Sequence, residues 1–276
     1  MKTKYHIEKT LLFRQSPFEL HIMKGNENLD ILRRIGQART LAFQQYLPTE
    51  TTEDLDKFDN YYHHLYLLDT QKNKIAGAYR LGVGDTLFAM GNIKAFYTHT
   101  LFKFNENFHP ILKQSLELGR SFVLPEYQKE FLPLLLLWKG VYQYFDANKQ
   151  LNYMMGAVSI PGTYSSNVNS KIIDFLYYHY RFDDKLLSGM NSVDTVDVKS
   201  KWYHTTLHDL EKDIQEEKAY IPVLLKRYLQ HSAKILGFNI DPCFGNSIDT
   251  LILIDKKEFP NKMKKYLMRN QNHYKI

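Results

Sequence analysis

The stretch Ser115-Leu-Glu117-Leu-Gly-Arg120-Ser-Phe-Val-Leu124 is apolar, yet it carries a Glu and an Arg near its middle. Its pattern predicts a buried strand, halted by Pro125. Glu126 to Phe145 predicts a helix apolar on most sides, with Leu134, Leu137, Trp138, Val141 and Phe145 spread around it; such a helix packs on a sheet rather than facing solvent. Asn152 to Ile160 predicts the next strand, stopped by Pro161-Gly162. Strand, helix and strand in this order place the chain among mixed α/β domains built around one central sheet.

The charges in the first strand ask for partners, because desolvating an ion costs several kcal/mol. They are either a structural ion pair or the lining of a polar slot in the sheet. Residues three apart in a regular strand face opposite ways, so Glu117 and Arg120 meet only if the strand bulges. Gly119 is the natural place for that bulge, and bulges gather near active sites. A third charge, Arg80, ends the apolar run Ile75-Ala-Gly-Ala-Tyr-Arg80-Leu, and Asp54, Asp56 and Asp59 can supply carboxylates to both arginines.

The remaining pattern is a strand at Phe18–Met23, a helix from Glu27 to Tyr46 ended by Pro48, and an acidic loop from Thr49 to Asn60. Strands at His64–Asp69 and Ile75–Leu81 flank a hairpin turn at Gln71–Lys74, and Gly82 to Asn92 reads as a second loop. Lys171 to Tyr180 predicts a helix. A further helix is expected from Pro222 to Leu236 with Gly237 as its stop, followed by a strand at Ser247–Ile254.

Several function classes fall away. No apolar run approaches the roughly 20 residues that a bilayer-crossing helix needs, and MKTKYHIEKT has no signal-peptide core. The lone cysteine, Cys243, forms no internal disulfide; it reads as an inert, buried thiol in a reducing, cytoplasmic setting. His204 and His208 have the spacing of a helical metal pair, but Thr205 stands where the zincin pattern needs Glu, and no metal is expected. Phosphate-binding glycine loops and a Gly-x-Ser-x-Gly elbow are absent. The net charge of +6 is matched by residues 256–276 alone, which hold seven basic residues and one acid. That tail suggests contact with anionic lipid or an acidic carrier protein and is too short for a nucleic-acid groove.

Taken in order, Arg39-x3-Phe43, Asp54-x-Asp56-x-Phe58-Asp59, His64-Leu65, Gly77-x-Tyr79-Arg80, Phe96-Tyr97, Glu117-Leu-Gly-Arg120-Ser-x-Val123, Tyr127, Leu136-Leu-Trp138-x-Gly140 and Gly156-x-x-Ser159 resemble the N-acyl-amino-acid synthases. These are bacterial members of the Gcn5-related N-acyltransferase (GNAT) superfamily that make the lyso precursors of ornithine and glycine lipids; some carry a hemolysin label. Acyl-homoserine-lactone synthases are more distant relatives sharing the Arg-x3-Phe, Asp-x2-Asp, Arg and Glu-x2-Arg skeleton. The resemblance covers roughly Arg34 to Ser159, with a weaker continuation from Ile221 to Asp249.

The resemblance implies a GNAT-like mixed, mostly antiparallel sheet flanked by helices and splayed at its acyl-binding strands. Residues 1–200 would form the acyltransferase core and 201–276 a C-terminal helix–strand extension on the same domain. It further implies transfer of a long, optionally 3-hydroxylated acyl group from acyl carrier protein to the α-amine of glycine or ornithine, with no permanently bound cofactor. Glu117 would be the base; Arg80 and Arg120, held by Asp56 and Asp59, would grip the acceptor carboxylate, with Arg39 and Phe43 also on the substrate side. Phe122, Val123, Trp138, Met155 and Ser159 would line the acyl and pantetheine path. Where CoA-dependent members have a glycine loop for the pyrophosphate, this chain has Leu124-Pro-Glu-Tyr-Gln-Lys129. That favours a carrier protein over CoA. The lipid-forming members often have Tyr-Arg where this chain has Tyr127-Gln128, so the resemblance implies a carrier contact moved to Lys129. The competing expectations are a short-chain acetyl-CoA acetyltransferase and a non-enzymatic, membrane-active protein.

Overall fold

The computed structural model describes residues 10–44, 47, 50–182, 186–191 and 204–268. In chain order the elements begin β1 (Leu11–Gln15), β2 (Phe18–Lys24), α1 (Leu29–Phe43), β3 (His63–Asp69), β4 (Lys74–Val83) and α2 (Gly84–Gly91). Next come β5 (Phe102–Phe104), α3 (His109–Lys113), β6 (Ser115–Val123), α4 (Phe131–Ala147), β7 (Tyr153–Ile160) and α5 (Ser166–Tyr180). The last are β8 (Leu187–Gly189), α6 (Leu207–Gln215), α7 (Val223–Gln230), β9 (Lys234–Asp241), β10 (Ser247–Asp255) and α8 (Asn261–Met268). The described residues of Met1–Tyr97, Leu112–Met154 and Asn261–Ile276 form one compact unit, and those of Thr98–Ile111 and Met155–Pro260 a second.

In the first unit, strands run in the order β1-β2-β3-β4-β6, every pair antiparallel. Alternation along β3 and β4 divides the residues between two faces. Leu65 and Gly77 point toward α4, since a Cβ on Gly77 would meet Leu137 and one on Gly140 would meet Leu20 and Leu65. His64 and Arg80 point the other way, toward α1 and the loop before β3. Burial of Leu20, Leu65, Leu67, Leu137 and Phe145 makes the α4 side a largely apolar core. The opposite side is where Arg39, Asp59, Arg80 and Glu117 are buried.

In the second unit, β10 lies between β7 and β9, pairing antiparallel with β9. A two-stranded β5–β8 ribbon lies beside β9. The Ser159 hydroxyl of β7 donates to Asp249 of β10 at 2.7 Å.

Four expectations need correction. Gly82 to Asn92 is not a loop: Gly82 and Val83 complete β4, and α2 follows directly. Gly84 opens that helix because its backbone passes so close to α3 that a Cβ would lie 1.9 Å from the Leu112 carbonyl oxygen. The helix after β6 starts at Phe131, the intervening residues being spent on a 3-10 turn at Pro125–Tyr127. The Pro222–Leu236 helix stops at Gln230, Pro222 being its cap, and Gly237 lies inside β9 instead of ending a helix. Cys243 is exposed, in the turn between β9 and β10. Of the helix expected over Glu27–Tyr46, the structure shows Leu29–Phe43; Tyr46, Pro48 and Thr49 lie outside the described residues.

Candidate active site

The acidic loop is built by its own hydrogen bonds. Asp56 accepts from the Phe58 N–H at 2.8 Å, and Asp59 accepts from the Asp56 N–H at 2.7 Å, closing a capping box on the 3-10 turn Lys57–Asn60. This aims both carboxylates at the charged face of the sheet. Asp59 then takes a forked pair of bonds from Arg39 of α1, at 3.0 and 3.3 Å, and lies 3.2 Å from Arg80 of β4. Arg80 donates to Asp56 at 2.7 Å. Its guanidinium also sits among three rings, 5.7 Å from Phe58, 5.3 Å from Tyr62 and 4.9 Å from Tyr97. Arg120 reaches Asp54 and Asp56, each at 3.5 Å. Three arginines and three aspartates thus balance in one network, with the strong forked geometry inside and looser pairs at Arg120.

Burial sets the electrostatics. Arg39, Asp59 and Arg80 are each 1% exposed. Burial alone would raise the Asp59 carboxyl, but Arg39 and Arg80 outweigh it and hold it well below the usual carboxylate range. Burial would lower Arg80, and Asp59 with Asp56 instead raises it above the ordinary guanidinium value. His64 donates its Nε2–H to the Asp59 carbonyl at 2.9 Å. Burial, stronger than the attraction of Asp59, lowers it to about 4 and keeps it neutral.

The bulge expected in β6 is present, one step further along. Ala78 pairs with Phe122 and Arg80 with Gly119, so Arg120 and Ser121 together oppose Tyr79. Arg120 takes the left-handed conformation, φ 46°, while Gly119 stays in register. A side chain rarely adopts that region without a surrounding structure to hold it there. Here the hold comes from Asp54, Asp56 and the Tyr97 ring, 5.3 Å from the guanidinium. Glu117 and Arg120 are thereby both brought to Tyr97 without forming the direct pair that spacing alone allowed.

Glu117 is 2% exposed. Its Oε2 accepts a short hydrogen bond from the Tyr62 hydroxyl and one from the Tyr97 N–H at 3.3 Å. The Tyr62 oxygen also lies 3.2 Å from the Ala95 carbonyl and accepts from the Tyr97 N–H at 3.0 Å. Burial first, then the Glu117 charge, pushes the Tyr62 hydroxyl well above its ordinary value, so it stays protonated and donating. Tyr62 was not singled out from the sequence. Its one signal is position: a polar aromatic placed between the Asp59 turn and the buried strand beginning at His63.

The other expected residues are scattered. Phe43 of α1 meets Phe122 of β6 edge-on, with ring centroids 6.3 Å apart, so these two form one apolar contact beside the bulge. Val123 is half-buried at the end of β6, and Trp138 is buried in α4. Met155 is fully buried and Ser159 is bound to Asp249, both on β7 in the second unit. Lys129 is exposed between the 3-10 turn and α4. His204 lies outside α6, which Thr206 caps, so the i, i+4 helical geometry with His208 does not arise; His204 bonds Asp213 at 2.8 Å.

The site thus places a buried carboxylate on a bulged strand beside an anchored cation, on a sheet flanked by helices. A family model described as an acetyltransferase (GNAT) domain matches residues 39–138. The glycine N(alpha)-acyltransferase of Phocaeicola vulgatus is 26% identical over 94% of this chain and 86% of its own length. The L-ornithine N(alpha)-acyltransferase of Rhizobium meliloti is 30% identical over 73% of this chain and 66% of its own. A CoA-dependent acyl-homoserine lactone synthase solved with SAM and isopentyl-CoA aligns at TM-score 0.48 and 12% identity, covering 90% of this chain and 86% of that one. The chain belongs to the N-acyl-amino-acid synthase family of the GNAT superfamily.

Proposed function

We propose that this enzyme moves a long-chain acyl group, optionally 3-hydroxylated, from an acyl carrier protein thioester to the α-amine of glycine or ornithine. The observation that carries the reading is Glu117, a buried carboxylate fixed by Tyr62 and Tyr97 next to the cation Arg120. An ammonium must lose a proton before it attacks, and Glu117 takes it, directly or through one water. The amine nitrogen then bonds to the thioester carbonyl carbon. As the tetrahedral species collapses, the C–S bond breaks, the second amine proton leaves, and the pantetheine thiolate departs to be protonated as thiol. Arg120 pairs with the acceptor carboxylate: it is more open than Arg80, with 17% side-chain exposure against 0%. Arg80 and Arg39 keep the aspartates in place rather than touching substrate.

The loop after β6 favours a carrier-protein donor. It lacks glycine, and its amides are used internally: Tyr127 N–H to Leu124 O at 2.9 Å, Gln128 N–H to Pro125 O at 3.3 Å, Glu130 N–H to Tyr127 O at 3.2 Å. A pyrophosphate would find few backbone donors there. Exposed Lys129 is the proposed contact for the acidic carrier. A peripheral membrane contact fits α8, where Lys262, Lys265 and Tyr266 are exposed; among the described residues no helix is long and apolar enough to cross a bilayer. Arg269 and Lys275 of the basic tail lie outside the described residues.

The test is mass spectrometry of lipid extracts from cells expressing the chain, beside a Glu117→Gln control. Expected is a new N-acyl-glycine or N-acyl-ornithine species, reduced by about 10²- to 10⁴-fold in the control. A purified enzyme that acetylates from acetyl-CoA but leaves long-chain acyl carrier protein untouched would overturn the donor assignment.

A further inference from the structure

Gly119 is a glycine the fold does not require. It sits inside β6, its φ lies outside the left-handed region, and a Cβ built on it would have no heavy atom within 4 Å. Its cross-strand neighbourhood behaves differently: on Gly77 of β4 a Cβ would lie 2.6 Å from the Phe122 carbonyl oxygen, and on Gly82 it would lie 2.5 Å from the Tyr62 ring. A strand-interior glycine weakens a sheet and often marks a place where a ligand comes close to the backbone. Neither backbone conformation nor packing accounts for one here.

The surroundings of that open space are the active-site groups. Gly119 pairs with Arg80 and lies two residues from Glu117, so it shares the face of β6 that carries the Glu117 carboxylate. The bulge turns Arg120 to the same side: the Tyr97 N–H donates to Glu117, and the Tyr97 ring lies under the Arg120 guanidinium. A base, a bare backbone position and a cation therefore follow one another along a single short segment. An α-amino acid has the matching order of ammonium, α-carbon and carboxylate.

We propose that the open volume over Gly119 is the subsite for the α-carbon of the acceptor amino acid, with its ammonium toward Glu117 and its carboxylate toward Arg120. Position 119 then limits which acceptors fit, because any side chain there occupies the space the acceptor needs. This inference rests on the N-acyl transfer proposed above.

The experiment compares purified wild type, Gly119→Ala and Gly119→Val. Product is followed with acyl carrier protein thioester and glycine or ornithine, and unfolding by thermal melting. Gly119→Ala is expected to melt at or above the wild-type temperature, since its methyl enters empty space. Its KM for the amino acid should rise by at least about tenfold, the scale of one misplaced methyl group in a pocket, with the KM for the acyl donor unchanged; Gly119→Val should raise it further. Wild-type KM for the amino acid in both variants would overturn the assignment. So would a rise in donor KM instead, which would place the thioester over Gly119. Variants that fail to fold would show that the space is not open and would overturn it too. A wild type that acylates no amino acid would sink the proposed reaction itself, a result separable from any effect of position 119.

Discussion

Tyr62 sets the condition of the carboxylate proposed as base. Its hydroxyl and the Tyr97 N–H both bond Oε2, and hydrogen bonds to a carboxylate favour the ionised form that burial opposes. Tyr62→Phe removes one of them and leaves a buried oxygen less satisfied, costing about 1–3 kcal/mol. The variant should show a lower kcat and an acid limb of the kcat/KM–pH profile displaced upward, because the ionised carboxylate has lost a donor. A Tm loss with an unmoved limb would reduce Tyr62 to packing. Glu117, Arg120 and Arg80 were legible in the sequence because charge inside an apolar run is conspicuous, and the three aspartates because an acidic loop supplies the carboxylates those arginines need. Tyr62 was not, because a tyrosine beside a strand is unremarkable until the chain brings Glu117 to its hydroxyl from 55 positions away.

Among the elements, the 3-10 turn Lys57–Asn60 has consequences beyond its length. It carries Asp56 and Asp59, and Asp59 is the common partner of a helix cation and a strand cation. Asp59→Ala leaves Arg39 and Arg80 buried beside an uncompensated gap, and the expected loss of stability is about 3–5 kcal/mol, read from denaturant midpoints. Gly84→Ala tests the correction to the expected Gly82–Asn92 loop. Its methyl would collide with the Leu112 carbonyl, so a loss of about 1–3 kcal/mol is expected; a wild-type Tm would show that α2 can shift away from α3. Periodicity located β2, β3, β4, β6, β7 and β10 almost to the residue. It missed α2 because glycines at both ends of a short segment resemble a turn, whereas Gly84 is there to permit close backbone approach. It misread β9 because Gly237 after an apolar run resembles a helix stop, whereas pairing with β10 decides the matter.

For the molecule as a whole, buried neutral histidine links stability to pH. His64 titrates near its ordinary 6.5 when unfolded and is lowered to about 4 when folded, so the unfolded chain binds the extra proton between those values. Stability is therefore full above pH 6.5 and falls as pH drops toward 4, by roughly 3 kcal/mol from this residue. His231, buried against Phe259 and also lowered to about 4, acts in the same direction. Thermal melts should decline across pH 6.5 to 4; a melting temperature flat over that interval would show that the histidines do not stay neutral in the folded state.

What the amino-acid sequence determined by itself is the alternation of elements, the apolar helix covering one face of the sheet, and the identity of most charged groups on the other. Local pattern suffices there, because period-two and period-3.6 repeats and isolated charges in apolar runs are properties of neighbouring residues. Only the tertiary structure decided that the bulge falls at Arg120 and Ser121 rather than at Gly119, that Arg80 is enclosed while Arg120 stays partly open, and that Tyr62 meets Glu117. Each of these depends on which strand pairs with which, and on carboxylates delivered by a loop distant in sequence. The strength of such contacts comes from desolvation and geometry that no short stretch of sequence contains.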